Sequence, residues 1–534
     1  MKIVIAEKTS PAAIALFREE ASWTVVTADD IKSDLPEQVR DADALVVRSA
    51  VQVDRALLSH AQKLRVIGRA GVGVDNIDLD AATKRGIAVM NTPGGNAVAV
   101  AEHTLGLMLA MARFLSRADH TTRAGRWEKK SLQGTELRGK TLGIVGLGRV
   151  GLEVARRAKA FEMELVAHDP FVSSSVARDL GIKLASLDEL YAAADYISLH
   201  VGLTSQTANM VNADSLKKMK KGVRLVNCAR GELIDDAALA QALQNGHVAS
   251  AALDVFSQEP LPKESPLNTL AESGKLILTP HIGGSTNEAQ EAVGIQIAFQ
   301  VKEYLKHGVI QNAVNVPSVT HDEYSEMLPY ISLAERLGAF LAQAVEGNLE
   351  EISLRYSGRI AEWKTDLIRN AAITGLFNQL PAEKANLVNA ASLAKERGIK
   401  VLEIKKPEAS GGGAGNVISI FVKTNSEEKV VKGAVLHGSS PRLLGVDDID
   451  IEAPLEGHCI FLRNRDVPGV IGRVGTVLGE HQVNIASFAL GRHEKAGAKR
   501  QALAVVQVDG AVPDAALAAL RKIEAVTLAK AMKL

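Results

Sequence analysis

Short apolar runs alternate with amphipathic stretches through the first 316 residues of the chain. Each run has four to six residues rich in Val and Ile, which is typical of strands covered on both faces. The alternation restarts after one long helical stretch, so it predicts two consecutive doubly wound α/β units with parallel sheets. The most apolar window, 97–114, contains Glu102 and His103 and predicts a buried helix between the units rather than a membrane span.

A second pattern begins near Pro317 and predicts a mixed α+β domain over 317–455. Helical spacing covers 333–345 and 365–379, and strand-like runs such as VISIFVK and KVVKGAVLHG follow. The tract SGGGAG at 410–415 favours a turn or loop. A nucleotide-binding glycine loop is the alternative there, although no Lys-Ser/Thr pair follows the glycines.

The pattern changes again over 456–534, where it reads βαββαβ. Helices are predicted over 468–481 and 513–523, each beginning at a proline that needs no N–H partner. This order of elements is that of a small ferredoxin-like module.

The amino-acid composition limits the kinds of molecule that the chain is expected to bind. Lys plus Arg equal Asp plus Glu at 62 each, so no nucleic acid is expected and any anionic ligand needs a local cluster of cations. Two cysteines, Cys228 and Cys459, form no disulfide framework, which suits a reducing cytoplasm. The N-terminal segment is typical of a first strand rather than a signal peptide, and we expect no membrane association.

A glycine loop follows the apolar run TLGIV. In GLGRVG, Gly146 permits a tight turn, Gly148 lets the backbone approach a diphosphate, and Gly151 allows close contact between helix and strand. Asp169 ends the next strand, 23 residues after Gly146, where an acid accepts ribose hydroxyls and repels a 2′-phosphate. Arg149 adds charge complementarity to the diphosphate. These features predict a Rossmann-like domain that binds NAD rather than NADP, the alternative being a structural glycine turn with a surface Asp.

Three residues at successive predicted strand ends suit hydride transfer from an alcohol carbon. The carboxyl ends of parallel strands converge on the ligand crevice, which brings Arg230, Glu259 and His281 together. His281 can exchange a proton near neutral pH, Glu259 can orient its ring, and Arg230 can bind a carboxylate through two parallel hydrogen bonds. Taken singly, each residue also fits a structural or surface role.

The remaining histidines and Cys228 receive no catalytic role. His103 lies on an apolar helix and fits a core position, and His168 and His200 lie at strand ends near the cofactor. Cys228 lacks an evident base and fits the lining of the cofactor pocket. The histidines show no spacing such as HExxH, so no metal is predicted.

Residues 1 to about 316 resemble the D-isomer-specific 2-hydroxyacid dehydrogenases in the blocks VVRSA, GRAGVGVDNID, NTPGGN, AEHTLGLMLA, GKTLGIVGLGRVG, NCARGELIDD and TPHIGGST. The resemblance implies that Arg230 binds substrate, Glu259 assists and His281 is the acid/base. It also implies a substrate domain formed by 1–97 with 284–316, into which a cofactor domain, 98–283, is inserted. The implied NAD contacts besides the three loop glycines are Arg149, Val150, Asp169, Thr204, Cys228, Ala229, Arg230, Asp254, His281, Gly283 and Gly284.

The long phosphoglycerate dehydrogenases are the branch of this family that the chain resembles in its outer segments. A substrate with both carboxylate and phosphate needs more cations than Arg230 alone. The resemblance places substrate contacts at Arg48, Arg69 and Asn96, and Ser49 and Gly71 complete a predicted cradle of charge-assisted and backbone hydrogen bonds. Solvated surface arginines are the alternative for Arg48 and Arg69.

The last 80 residues resemble an ACT domain, an amino-acid-sensing module, in RNRDVPGVIGRVGTVLGEHQVNIASFALGR. The resemblance implies L-serine binding at an interface of two ACT domains near Asn464, Asp466 and Asn484, and therefore a homodimer or tetramer. Residues 317–455 match the intervening, allosteric substrate-binding-like domain of the long form.

The implied activity is NAD-dependent oxidation of 3-phospho-D-glycerate to 3-phosphohydroxypyruvate, the first committed step of L-serine biosynthesis. Two alternatives stay open. One is a dehydrogenase of another 2-hydroxyacid, such as 2-hydroxyglutarate, and the other is a non-catalytic NAD-sensing protein. The presence of Arg230, Glu259 and His281 argues against a purely binding role.

Overall fold

The computed structural model describes residues 1–31, 34–272, 274–379, 384–408, 415–493 and 501–534. The glycine tract predicted to form a turn or loop lies outside the described residues, except for Gly415.

The first sheet has five parallel strands in the order β2-β1-β3-β4-β5. Its core strands, β3 and β4, bury Val and Ile side chains on both faces because helices cover each side. The elements are β1 (Lys2–Ile5), α1 (Pro11–Arg18), β2 (Thr24–Val26), α2 (Leu35–Val39), β3 (Ala44–Val47), α3 (Arg55–His60), β4 (Val66–Arg69), α4 (Leu79–Lys84) and β5 (Ala88–Met90).

Two helices, α5 (Ala97–Arg113) and α6 (Leu115–Arg123), lead into the second α/β unit. α5 shares a buried core with the second sheet through Leu105 and Met108, as the apolar window predicts. It ends where Phe114 adopts a left-handed conformation (φ 53°). No single described helix is long and apolar enough to cross a membrane, whereas α5 and α6 taken together, bent by 62°, pass the same criteria of length and composition.

The second sheet has seven parallel strands in the order β12-β11-β10-β9-β6-β7-β8. Strand order reverses between β6 and β9, and ligands bind outside the carboxyl ends of the strands at such a switch point. The elements are β6 (Thr141–Val145), α7 (Arg149–Ala160), β7 (Glu164–His168), α8 (Ser174–Asp179), β8 (Lys183–Leu184), α9 (Leu187–Ala193), β9 (Tyr196–Leu199), α10 (Ala213–Lys218), β10 (Val223–Asn227), α11 (Asp236–Gln244), β11 (Val248–Leu253), α12 (Pro266–Glu272) and β12 (Leu276–Leu278).

After the second sheet, α13 (Asn287–His307) returns to the first one. Its Val293 and Ile297 share a buried core with Ile3 and Ile5 of β1. The chain therefore crosses between the two units twice, near residues 97 and 284. The exact domain boundaries proposed from the sequence stay a prediction.

The third region is a six-stranded mixed sheet in the order β14-β13-β15-β16-β17-β18, with only the β13–β14 pair parallel. Its first helix starts at His321, twelve residues before the predicted 333, because Thr320 and Glu323 form a capping box and Pro329 is accommodated inside the helix. The elements are α14 (His321–Ala344), β13 (Leu349–Ser357), α15 (Asp366–Phe377), α16 (Ala390–Glu396), β14 (Lys400–Lys406), β15 (Val417–Thr424), β16 (Glu428–Leu436), β17 (Ser440–Val446) and β18 (Ile449–Pro454).

The last region forms a four-stranded antiparallel sheet in the order β20-β21-β19-β22, backed by two helices. The predicted βαββαβ order, and with it the predicted α/β fold class of the whole chain, is confirmed. The elements are β19 (His458–Arg465), α17 (Val470–Glu480), β20 (Ile485–Arg492), β21 (Gln501–Val508), α18 (Asp514–Arg521) and β22 (Val526–Lys533).

Candidate active site

The glycine loop between β6 and α7 has the geometry of a diphosphate cradle. Gly146 has φ 95°, and a Cβ there would lie 2.6 Å from the His200 carbonyl oxygen. A Cβ on Gly151 would lie 2.0 Å from the Gly146 oxygen, whereas Gly148 faces open space. Only glycine therefore fits the first and last positions, and the middle position leaves room for a ligand at the α7 N-terminus.

Asp169 lies directly beside this loop. Its Oδ2 accepts a hydrogen bond from the Leu147 N–H at 2.8 Å, and its Oδ1 accepts one from the Phe171 N–H at 2.8 Å. The carboxylate thus stabilises the glycine loop at the end of β7, where an adenosine ribose would lie. The residues present fit a dinucleotide.

Three further predicted cofactor contacts lie in this loop or in the segment after β9. The Arg149 Cδ lies 2.4 Å from the position that a Cβ on Gly94 would occupy, so this side chain crosses the cleft to the first α/β unit. Val150 follows it in the first turn of α7. Thr204 lies in the exposed segment after β9, and its hydroxyl lies 3.0 Å from that of Thr207.

The predicted acid/base pair is formed. His281 Nδ1 lies 2.7 Å from Glu259 Oε2, and Glu259 Oε1 accepts a hydrogen bond from the Phe256 N–H at 3.1 Å. Glu259 thereby fixes the orientation of the imidazole ring. The His281 side chain is 52% exposed, which leaves Nε2 for a substrate.

Asp254 holds the turn that carries His281. Its backbone oxygen accepts the His281 N–H at 2.8 Å, and its carboxylate accepts the N–H groups of Ile282 at 2.9 Å and Gly283 at 2.8 Å. Burial favours a higher pKa for this carboxyl, but hydrogen bonds from His103, Thr279 and the two amides outweigh it and hold the pKa below its usual value. Asp254 is therefore an ionised, hydrogen-bonded support, close to Cys228 in the predicted cofactor pocket.

Burial raises the pKa of the Cys228 thiol to about 12, so it stays protonated and suits pocket lining rather than nucleophilic attack. Ligand atoms of His103, Cys228 and Asp254 lie within 4.8 Å of one another. Since both Asp254 oxygens already accept hydrogen bonds, we interpret this group as a hydrogen-bonded cluster, and the absence of a metal stays a prediction.

A cationic cluster joins the two units, because Arg230, which follows β10 of the second sheet, meets Asp75 and lies near Arg69 of the first unit. The Arg230 guanidinium lies 3.1 Å from Asp75 Oδ2 and donates to the Ala229 oxygen at 2.7 Å. A Cβ on Gly73 would lie 2.0 Å from Arg230 Nη2, and one on Gly71 would lie 1.4 Å from Arg69 Nη1. A side chain larger than that of glycine at position 71 or 73 would therefore collide with one of the two guanidiniums.

Arg69 is the least satisfied group of the cluster. Its Nε is buried without a hydrogen-bond partner, and its Nη1 donates to the Ala70 oxygen at 3.3 Å. Burial, and next the neighbouring Arg230, lower the pKa of Arg69. This side of the cleft carries an excess of positive charge that an anion would neutralise.

The other predicted substrate residues lie around the same cleft. Glu7 accepts the N–H groups of Arg48, Ala50 and Val51 and so fixes the segment after β3. Arg48 donates to the Lys8 oxygen at 3.1 Å and lines a cavity of about 390 Å³, and Ser49 is exposed.

Asn96 approaches the acid/base turn. Its Nδ2 lies 2.7 Å from the position that a Cβ on Gly284 would occupy. Asn96, which is predicted to contribute to the substrate site from the first unit, therefore packs against the turn of the second unit that carries His281.

Sequence reasoning missed four residues here: Glu7, Gly73, Asp75 and Gln290. Gly73 and Asp75 stand in the same GRAGVGVDNID block as Arg69, and Glu7 follows β1, so the strand-end rule would have found them. Gln290, which lines the Arg48 cavity and donates to the Gly284 oxygen at 2.8 Å, carried no such signal because it lies inside a helix.

Two of the three predicted regulatory residues lie together. Asn464 and Asp466 line a cavity at the turn from β19 to α17, where Arg492 approaches Asp466 at 3.7 Å. Asn484 bonds to Asp509 at 2.6 Å and lies at the opposite end of β20 from Arg492. An eight-residue strand spans roughly 26 Å, so within one chain Asn484 does not reach the same cavity.

Comparison with known families follows the same division of the chain. Residues 105–283 match the D-isomer specific 2-hydroxyacid dehydrogenase NAD binding domain, 326–447 the D-3-phosphoglycerate dehydrogenase intervening domain, and 460–525 the ACT domain. D-3-phosphoglycerate dehydrogenase of Methanocaldococcus jannaschii is 41% identical over 98% of both chains. The enzyme of that name from Synechocystis is 39% identical over 100% of this chain and 95% of its own.

The chain belongs to the D-3-phosphoglycerate dehydrogenase family. Two solved structures each cover 60% of the chain: NAD-dependent formate dehydrogenase of Staphylococcus aureus in complex with NAD (29% identity, TM-score 0.52) and D-lactate dehydrogenase of Aquifex aeolicus complexed with NAD and lactic acid (29% identity, TM-score 0.51). Each is covered over its full length. NAD, predicted from the glycine loop and Asp169, is confirmed as the cofactor of this domain.

Proposed function

We propose that this chain oxidises 3-phospho-D-glycerate to 3-phosphohydroxypyruvate with NAD, the first committed step of L-serine biosynthesis. The observation that supports a substrate with two anionic groups is the pair Arg69 and Arg230: burial and the positive charge of Arg230 lower the pKa of Arg69, and the buried Arg69 Nε has no hydrogen-bond partner. A molecule with a second anionic group besides its carboxylate, such as a phosphate, would neutralise both, which a singly charged hydroxyacid such as D-lactate would not. Full-length relatives that bear the family name support the same substrate.

The residues divide the reaction between them. His281 Nε2 accepts the proton of the C2 hydroxyl, and Glu259 stabilises the imidazolium through Nδ1–H. Arg230 binds the substrate carboxylate and, in the reverse direction, polarises the C2 carbonyl. The chemistry that bound NAD supplies is acceptance of the hydride from C2, so the products are NADH, a proton and the 2-oxoacid.

Steady-state assays of NADH formation test this proposal. We expect turnover with 3-phospho-D-glycerate at a kcat/KM at least tenfold above that for D-lactate and D-glycerate, which lack a second anionic group, since a charged hydrogen bond contributes about 1.5–3 kcal/mol. 2-Hydroxyglutarate, which carries two carboxylates, should be oxidised less efficiently than 3-phospho-D-glycerate. Faster turnover of 2-hydroxyglutarate would favour the alternative dehydrogenase. NADH binding without turnover of any acid would favour an NAD-sensing protein.

We further propose that L-serine is an effector and that the chain forms a homodimer or tetramer. The cavity beside Asn464 and Asp466 offers an amide and a carboxylate to an amino acid's ammonium and carboxylate groups. Light scattering on the purified protein tests the oligomer. Serine titration of wild type and Asp466→Ala tests the site, and equal inhibition of both would exclude it.

The compartment we propose is the cytoplasm. Both cysteines are free and buried, as expected of a protein in a reducing environment. Fluorescent tagging with fractionation tests this.

A further inference from the structure

His103 lies on α5, behind the acid/base turn, and has no part in the reaction described above. Its Nε2 lies 3.1 Å from Thr279 Oγ1 and 3.3 Å from Asp254 Oδ1. Thr279 stands two residues before His281, and Asp254 accepts hydrogen bonds from the backbone N–H groups of the turn. One imidazole therefore contacts both groups that fix the position of His281.

The direction of these hydrogen bonds follows from the number of protons. Thr279 Oγ1 lies 2.6 Å from Asp254 Oδ1 and donates to it, because an ionised carboxylate can only accept. A hydroxyl has one proton, so the Thr279 oxygen faces His103 as an acceptor. His103 consequently carries a proton on Nε2 and donates it into the Thr279–Asp254 pair.

The turn needs this support. His281 adopts φ 52°, a left-handed conformation that is unfavourable for a residue with a Cβ. Asp254 holds it there through the N–H groups of His281, Ile282 and Gly283. A displaced Asp254 carboxylate would release two of those three bonds.

The same helix meets the turn a second time. Asn96, the residue that precedes α5, packs against Gly284, and His103 meets Thr279 and Asp254 two helical turns later. Asn96 and α5 thus contact both ends of the 279–284 segment: Asn96 lies against Gly284, and His103 lies against Thr279. These contacts come directly after the chain has crossed from the first α/β unit.

We propose that His103 is a positioning residue: its Nε2–H, donated to Thr279 and Asp254, fixes the 279–284 turn to α5 and so aligns His281 with the substrate hydroxyl. The inference rests on the proposed function for its kinetic readout, although the contact itself does not.

The test compares His103→Leu, which removes the donor, with His103→Gln, whose amide nitrogen reaches to about the position of Nε2. We expect His103→Leu to lower kcat about 10-fold, as for the loss of one hydrogen bond to a charged group, with the KM values for NAD and substrate within about twofold. His103→Gln should keep at least half of the wild-type kcat. His120→Leu, the same replacement at an exposed histidine of α6, is the matched control and should change nothing.

Hydrogen–deuterium exchange of the peptide containing residues 279–286 provides a readout that needs no turnover. Exchange at Ile282 and Gly283, whose N–H groups are bonded to the Asp254 carboxylate, should accelerate at least about 10-fold in His103→Leu and stay at the wild-type rate in His103→Gln. If the wild type fails to oxidise phosphoglycerate but exchange responds in this way, the proposed function fails and the positioning role stands. Equal kcat loss in both variants, unchanged exchange, or a change confined to the KM for NAD would overturn it.

Discussion

The two sides of the cleft differ in how well their polar groups are satisfied. On the acid/base side, His281 is paired with Glu259, and Asp254 accepts hydrogen bonds from both neighbouring amides and from Thr279. On the cationic side, Arg69 has a buried Nε without a partner and lies next to a second guanidinium. The acid/base pair is satisfied within the protein, and Arg230 is paired with Asp75, whereas the Arg69 Nε has no acceptor there.

This difference separates two contributions to catalysis. A preorganised acid/base pair needs no rearrangement during the reaction, so its residues should act on kcat. Unneutralised cations release their binding energy only when an anion arrives, so their residues should act on the substrate KM and should cost stability in the free protein. Each prediction below places one residue on one side of this division.

The largest effect is expected for His281→Asn. Asn tolerates the left-handed φ of 52° at this position but cannot take the hydroxyl proton, so we expect kcat to fall about 1,000-fold, within the range of general acid–base contributions. Fluorescence titration should show NADH binding unchanged. His281→Ala should lose the same activity and also some stability, because Ala is strained at this φ. Retention of more than a tenth of the activity in His281→Asn would remove His281 from the mechanism.

Arg230→Lys comes next and tests the boundary between the two sides. Lys keeps the charge but cannot form two parallel hydrogen bonds, and we expect kcat/KM for phosphoglycerate to fall about 100-fold. Because Arg230 both binds the carboxylate and polarises C2, kcat and KM should both change. An effect on KM alone would place Arg230 wholly with the binding cations. Arg40→Lys, an exposed arginine paired with Glu37, is the control.

The sequence was sufficient for the residues that follow strands. Arg230, Glu259 and His281 stand after β10, β11 and β12, and the carboxyl ends of parallel strands converge, so their proximity could be predicted without a structure. The glycine loop was equally accessible, since the roles of Gly146 and Gly151 follow from backbone geometry alone.

Contacts between distant helices and strands could not be predicted. His103 meets Thr279 across 176 positions of sequence, and nothing in an apolar helix indicates which neighbour one polar residue will find. The missing hydrogen-bond partner of the Arg69 Nε depends on how the 71–73 backbone packs against the side chains of Arg69 and Arg230. The pattern of hydrophobic and polar residues does not indicate such packing. The start of α14 was obscured for a different reason: Pro329 interrupts the helical pattern although Thr320 already caps the helix.

Arg69→Met tests the contribution of the cationic side separately from that of the acid/base residues. We expect the KM for phosphoglycerate to rise about 20-fold, as for the loss of a charge-assisted hydrogen bond, with kcat nearly unchanged. The KM for a 2-hydroxyacid without phosphate should move less than threefold. Removal of a buried, poorly satisfied cation should leave the melting temperature of the free protein equal or higher. A lower melting temperature would show that Arg69 is structural, and Arg40→Met controls for the general loss of an arginine.

The smallest effect is expected at Asp169. Its carboxylate accepts hydrogen bonds within the protein, like the groups of the acid/base side, but it lies at the predicted cofactor site. Asp169→Asn keeps an acceptor for the Leu147 N–H and so preserves the glycine loop, while it removes the charge that repels a 2′-phosphate. We expect kcat/KM for NAD to fall about 5-fold and that for NADP to rise by a similar factor, since one charge open to solvent on part of its surface changes binding by about 1 kcal/mol. Steady-state kinetics with both cofactors measures the ratio. An unchanged ratio would mean that Asp169 serves only to hold Leu147, and cofactor choice would then lie in other residues around the ribose.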